Sequence, residues 1–440
     1  MTLGCGAALV LAMRLFACGG DPTDPVPADA STDVGSDADP AALRAACAFG
    51  AGALPRSTLG GVPAKIPIEH VIVLMQENRS FDHYLGRHPK TIDGTMDGFP
   101  AGYTNPVDGG APRAPVHATT TCLSPDPPHD WDATHRAWNG GAMNGFYTEG
   151  ELLAPGGGKT ALSYYAPDDI PFYTWLYGTF ASSDRFFCST LGPTAPNRKY
   201  LITATSNGTK AAQEPVVGVQ RSIYDALRDA KVSYLVYNPE LYDVPSAGAS
   251  AVRTLGDFFT DLASGSLPTI AFLNAAFANS EHPPRDIHGG EVFVRDVVVA
   301  LGKSPAWSTS ALILTYDEAG GFFDHVPPPA ACPPDGLPEN AEFDRLGIRV
   351  PFVVVSPYAR RAFVSHETHS HTSITRFIEL LASAGALTKR DANSDALLDL
   401  FDFGAGPTAM PDEGSIPMAG PSTCGTADAG TDAATDAPAD

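Results

Sequence analysis

The chain has 440 residues, is 43% hydrophobic and 9% aromatic, and carries a net charge of −22. That length and apolar content can bury one large α/β core or two modest ones. The acidity argues against nucleic-acid binding, which calls for a basic surface, and it repels phosphate at long range, so a phosphate site here needs a bound cation or local arginines.

Residues 7–13 form an apolar run too short to span a bilayer. The run leads into Leu15-Phe16-Ala17-Cys18, which resembles a bacterial lipobox, so residues 1–18 read as an export signal with Cys18 as the lipid-bearing first residue. No Lys or Arg precedes the run and Arg14 interrupts its end; a plain secretory signal is the alternative. Residues 19–45 read as a disordered acidic stalk, because 19–40 offer almost no large apolar side chain to offset ordering entropy. Residues 406–440 read as a polar acidic tail. Residues 21–40 and 411–440 each carry six acidic residues and no Lys or Arg, so about half of the net charge lies in segments expected not to fold. Five cysteines remain beyond Cys18, namely Cys47, Cys122, Cys188, Cys332 and Cys424; one or two disulfides are expected, with a pairing that cannot be read from sequence.

Between the tails, short continuously apolar runs at 71–75, 232–237, 269–273, 312–316 and 350–355 have the character of strands buried on both faces. Helical patterns lie at 198–204, 223–230, 255–264, 292–301 and 373–384. The alternation predicts an α/β fold with a mainly parallel central sheet and helices on both faces. In such sheets ligands bind beyond the carboxyl ends of the strands, and Glu77-Asn78, Asn238, Asn274 and Asp317-Glu318 all fall there. Residues 84–170, rich in Gly, Pro, Asp and Asn, read as insertions over that crevice.

Asp317 and Glu318 are adjacent carboxylates behind a buried run, which repel each other unless a cation or donors satisfy them. With Glu77 and Asn78 they make a set of oxygen ligands for one divalent ion; capping of the following turns is the competing role. Thr194, in Gly192-Pro193-Thr194-Ala195-Pro196-Asn197-Arg198, is the nucleophile candidate, placed before a helix whose first amides favour anions. Asn197 and Arg198 are candidates for holding phosphate oxygens. By itself the run reads equally as a proline-rich turn with a capping threonine. His129 and His282 sit in proline-rich loops and are the proton-transfer candidates. Asp324, His325 and His371 are candidates for supporting the site from behind.

The stretches at 70–86 (HVIVLMQENRSFDHYLG), 192–198 (GPTAPNR), 315–329 (TYDEAGGFFDHVPPP), 347–360 (GIRVPFVVVSPYAR) and 370–379 (SHTSITRFIE) resemble the bacterial phosphoesterase family, which contains non-haemolytic phospholipases C and a group of acid phosphatases. The resemblance implies an alkaline-phosphatase-like fold and makes 46–405 a phosphoesterase catalytic domain. It implies that Glu77, Asn78, Asp317 and Glu318 hold the metal, that Thr194 attacks phosphorus to give a phosphothreonine, and that His129 and His282 contact the phosphoryl group or carry protons. Larger phospholipase members carry additional C-terminal β domains, whereas this sequence turns polar after residue 405. The expected function is phospholipase C-type phosphodiester hydrolysis, the alternatives being acid phosphatase activity or, in another class, a catalytically inactive surface lipoprotein that binds a phosphorylated ligand. The expected partners are a phosphoester, including phospholipid, and a membrane reached through the lipid anchor; the expected location is the cell envelope or the space outside it.

Overall fold

The computed structural model describes residues 39–211, 220–239 and 244–424. The expected leader, most of the expected stalk and the end of the expected tail lie outside the described residues. Strands β1 (His70–Gln76), β2 (Ala181–Ser183), β3 (Tyr234–Tyr237), β4 (Val252–Arg253), β5 (Ile270–Asn274), β6 (Ser310–Tyr316), β7 (Phe352–Val355) and β8 (Val364–Ser365) make one eight-stranded sheet. Its order is β8-β2-β7-β6-β1-β5-β3-β4. β1 runs parallel to both neighbours, with Val71 opposite Ile270 of β5 and Ala311 of β6. The pairs β5–β3, β3–β4 and β2–β8 are also parallel, while β7 is antiparallel to β6 and β2. The expected mainly parallel α/β sheet is therefore what forms. Residues 71–76 of β1 and all of β6 are buried. Successive side chains point to opposite faces, so the sheet centre is covered on both sides.

The helices that bear on the site are α1 (Phe81–Leu85), α2 (Trp131–Trp138), α3 (Thr194–Thr203), α4 (Leu255–Ser264), α5 (Ile287–Lys303) and α6 (His371–Ala382). α4 packs on α5, and α3 packs on α6. Ser80 caps α1 by accepting from His83 N at 3.2 Å. α3 begins at Thr194, four residues before the pattern suggested, and takes in Pro196 as its third residue. A proline is tolerated there because the first-turn amides have no partner inside the helix.

Two segments expected to be unstructured are partly built into the domain. Residues 40–45 form a helix capped by Asp39, whose side chain accepts from Ala41 N at 3.0 Å, and a disulfide joins Cys47 to Cys332. At the other end Ile416 is buried, Arg295 Nε donates to Pro417 O at 2.8 Å, and Cys424 is bonded to Cys122. The acidic composition of both segments hid these local anchors, since each depends on a few residues meeting partners far along the chain. Cys188 is free and buried. Among the described residues no helix is long and apolar enough to cross a membrane.

The Cys122–Cys424 bridge closes a separation of 302 residues. Replacing Cys424 with Ser is expected to cost about 2–4 kcal/mol of stability. Urea unfolding with matched limited proteolysis checks this: the midpoint falls and the segment 406–424 becomes cleavable.

Candidate active site

Glu77 and Asn78 leave the end of β1, and Asp317 and Glu318 leave the end of β6. These strands are parallel neighbours, so their carboxyl ends open side by side. Asp317 Oδ1 accepts from Asn78 N at 3.1 Å and from Glu318 N at 2.7 Å. Arg79 N donates to Glu318 O at 3.1 Å. Two glycines permit this approach. Gly320 has φ +62°, and a Cβ there would lie 2.4 Å from Asn78 O; Gly321 has φ +67°, and a Cβ there would lie 2.5 Å from Pro128 O. Any side chain would push apart the segments that carry Asn78, His129 and Glu318.

Arg198 of α3 holds this edge together. Its Nε donates to Asp317 Oδ2 at 3.2 Å, one terminal nitrogen to Glu77 Oε1 at 3.0 Å, and the other to Asn274 Oδ1 at 3.2 Å. Three parallel strands, β1, β5 and β6, thus present oxygens to one buried guanidinium. Thr194 stands one turn before Arg198 on α3 and shares its face. Thr194 is half-buried, and Gly192 and Glu318 line a common small cavity with Pro128, Cys188 and Thr190. A Cβ on Gly192 would come within 3.0 Å of the Trp131 ring, so the turn before Thr194 rests against the start of α2, next to His129.

Asn197 is engaged with the loop that precedes it. Its Oδ1 accepts from Thr190 N at 3.0 Å, and its Nδ2 donates to Gly192 O at 2.9 Å and Pro193 O at 3.1 Å. These bonds shape the loop that presents Thr194. Arg198 likewise faces carboxylates, which makes it a brace for the expected metal ligands.

The two histidines come together. His129 Nδ1 donates to Pro127 O at 2.7 Å and His282 Nδ1 to Pro283 O at 2.6 Å. That sets the tautomer with the lone pair on Nε2. The rings lie 5.8 Å apart, and Asp126 joins them in one cluster of potential ligand atoms. Asn78 Nδ2 donates to His129 Nε2 at 3.1 Å, and Glu318 Oε1 lies 3.8 Å from the same nitrogen. Asn78 Oδ1 and Glu318 Oε1 are buried with no hydrogen-bond partner. Burial raises the Glu318 pKa, His129 opposes the rise, and Asp317 adds to it. The four expected metal ligands therefore share one edge but divide in two: Glu77 and Asp317 face Arg198, Asn78 and Glu318 face His129.

Sequence reading missed Asp126 and Glu281. Glu281, next to His282, has φ +74° and is fully buried. It accepts from Tyr84 OH at 2.5 Å, Tyr316 OH at 2.9 Å, Gln76 Nε2 at 3.2 Å and Tyr173 OH. This cage fixes the turn that carries His282. Its one visible signal was a carboxylate beside a candidate histidine; the tyrosines are dispersed and look like ordinary core residues.

Asp324 and His325 belong to a separate buried charge network. His325 Nδ1 meets Asp82 Oδ2 at 2.6 Å, and Arg349 Nε donates to Asp324 Oδ1 at 2.9 Å. Their partners are Asp82, Asp97 and Arg349, so they brace α1 and the 323–326 turn from a distance. His371 is closer: Nε2 donates to Tyr316 O at 2.9 Å, directly before Asp317, and Nδ1 accepts from Ser189 Oγ at 3.1 Å. Burial lowers its pKa to about 4, so it is a neutral prop under the end of β6.

The Phosphoesterase family matches residues 68–382. Non-specific phospholipase C6 of Arabidopsis thaliana is 33% identical over 370 residues, covering 74% of this chain and 70% of that protein. Phospholipase C B of Mycobacterium tuberculosis (strain ATCC 25618 / H37Rv) is 32% identical over 414 residues, covering 77% and 78%. Among solved structures, the lipoteichoic acid synthase LtaP from Listeria monocytogenes aligns with a TM-score of 0.39 at 10% identity, over 74% of this chain and 76% of that one. An α/β hydrolase of phosphoric esters is the class that the sequence relatives define. The chain belongs to the Phosphoesterase family.

The His325 network generates a pH dependence. Burial opposes protonation of His325, but Asp82 and Asp97 outweigh it and raise the pKa to about 10. The unfolded value is near 6.5, so this stabilisation is complete below about pH 6.5 and is lost as pH rises toward 10. Urea unfolding from pH 6.5 to 10 is expected to show falling stability, with a shallower slope in His325→Asn.

Proposed function

We propose that this chain hydrolyses phosphodiesters in the manner of a phospholipase C, with Thr194 as nucleophile and one divalent ion assisting. One observation carries the reading: Thr194 shares a face of α3 with Arg198, and Arg198 binds carboxylates from the ends of two parallel strands. Both sequence relatives reported above are named phospholipases C, which favours a diester over a monoester.

The residues fit a divalent ion, because Asn78 Oδ1 and Glu318 Oε1 are buried oxygens without hydrogen-bond partners at the neighbouring ends of β1 and β6. Asn78 and Glu318 would hold it, with Asp126 able to add a further oxygen, a set suited to a hard divalent cation; Nε2 of His129 and of His282 is kept for proton transfer. Glu77 and Asp317 would hold their charge against Arg198 on the other side. Such an ion, when bound, neutralises charge on the phosphoryl oxygens.

Thr194 Oγ bonds to phosphorus as the bond to the leaving alcohol breaks, and the Thr194 proton goes to that alcohol through Nε2 of His282 or His129. Water then cleaves the phosphothreonine, restoring the hydroxyl and releasing a phosphomonoester. The open amides at the start of α3 favour the anionic group beside Thr194. Glu281 and its tyrosines hold His282 in place, and Asn197 holds the Thr194 loop. The reading extends to an exported enzyme anchored through Cys18, and the two disulfides suit an oxidising compartment.

Thr194→Ala is expected to lower p-nitrophenylphosphorylcholine turnover by about a thousandfold or more while leaving the unfolding midpoint in place. Acid-quenched wild type carries a phosphoryl group on the peptide containing Thr194. Retained turnover in the variant refutes the nucleophile. Prolonged chelation is expected to abolish activity and divalent metal to restore it; full activity in protein shown to be metal-free by elemental analysis refutes the ion. Faster hydrolysis of p-nitrophenyl phosphate than of the choline diester makes the enzyme a monoesterase.

A further inference from the structure

Beyond His282 the chain turns back, with Arg285 N donating to His282 O at 2.8 Å. The Arg285 guanidinium lies 4.6 Å from the centre of the Phe277 ring. Phe277 in turn stands 6.2 Å from the His282 ring. A row of planar groups therefore leads outward from the paired histidines: His129, His282, Phe277, Arg285.

The end of this row is unusual in two respects. Phe277 is 43% exposed although it is a large aromatic residue next to the site. Arg285 is half-buried, its Nε is fully covered and has no hydrogen-bond partner, and its side chain meets no carboxylate among the described residues. Arg198 and Arg349 direct Nε to carboxylates, Arg79 and Arg390 direct it to backbone carbonyls, and Arg376, paired with Glu379 through a terminal nitrogen, shares with Arg285 a covered Nε that has no hydrogen-bond partner. Arg285 differs from these in its place, half-buried between the exposed Phe277 and the turn that carries His282. Stacking on Phe277 keeps its planar fork oriented while leaving the donors for an external acceptor.

We infer that Phe277 and Arg285 form a specificity subsite for substrates that carry a second anionic group, a phosphate or carboxylate, on the arm of the diester that does not react. Arg285 grips that group with its fork, and Phe277 holds the fork in place. Arg198 and Asn197 are engaged within the protein, whereas this guanidinium keeps an unpartnered donor beside the paired histidines. The inference rests on the phosphodiesterase reading and adds the substrate class to it.

Phosphatidylinositol 4-phosphate and phosphatidylinositol, presented in the same mixed detergent micelles, differ by one such anionic group. Wild type is expected to prefer the 4-phosphate in kcat/KM, through KM. Arg285→Gln is expected to lower the ratio of the two values about tenfold, as loss of a charge-assisted contact does, and Phe277→Ala to lower it by a smaller factor. Arg285→Lys, which keeps charge but not the planar fork, falls between wild type and Gln. Thermal unfolding verifies that each variant is folded. No preference in wild type, or a ratio unchanged in Arg285→Gln, overturns the subsite. Failure of the underlying reading looks different: wild type then hydrolyses neither lipid nor p-nitrophenylphosphorylcholine.

Discussion

The ion pairs of Arg198 with Glu77 and Asp317 are the constraint on which the site depends. Two carboxylates at the ends of adjacent strands would repel each other in a dry setting, and their burial would cost several kcal/mol without compensation. One guanidinium from α3 compensates both and also takes Asn274 from a third strand. The same helix carries Thr194 a turn earlier. The interaction that makes the acidic edge tolerable is thereby the one that brings the nucleophile candidate to it. Asn197 completes the device by tying the preceding loop to the helix.

The histidine side of the site is held by different means. His129 and His282 are oriented by backbone carbonyls of their own proline-rich loops. Glu281 anchors the second loop through hydroxyls from α1, from β6 and from Tyr173. Burial raises the Glu281 pKa, with the three tyrosine hydrogen bonds and Arg79 opposing the rise. A left-handed backbone at a glutamate persists because its surroundings determine it from several directions. Gly290 belongs to this arrangement, since a Cβ there would lie 2.2 Å from Glu281 Cγ.

Not every catalytic-looking constellation in the domain is one. Ser365, His369 and Asp395 reproduce the hydrogen-bond order of a nucleophilic triad, with 3.1 Å from Ser365 Oγ to His369 Nε2 and 2.7 Å from His369 Nδ1 to Asp395 Oδ2. Ser365, however, gives its proton to Asp399. Burial opposes charge on His369, but Asp395 and Asp399 overcome it and raise the pKa to about 10. A histidinium has no lone pair with which to act as a base, so this cluster is a buried ion network joining β8 to the 395–399 turn. Residue types alone do not separate it from the His129 and His282 pair; protonation and partners do.

Five apolar runs predicted strands that became β1, β3, β5, β6 and β7, because a strand buried on both faces must be continuously apolar and that is visible locally. The strands β2, β4 and β8 were not legible: they are short and partly polar, and pairing alone makes them strands. The residues Glu77, Asn78, Thr194, His129, His282, Asp317 and Glu318 could be named from the sequence, since their types and their positions after strands or in rigid loops are local properties. Which oxygen meets Arg198, which is left without a partner, and which asparagine is consumed by its own loop were decided only in three dimensions. The bonds of Arg198 and Asp317 join residues more than a hundred positions apart, and even for Asn197, whose partners are near in sequence, no local pattern encodes which of several competing partners a buried polar group will meet.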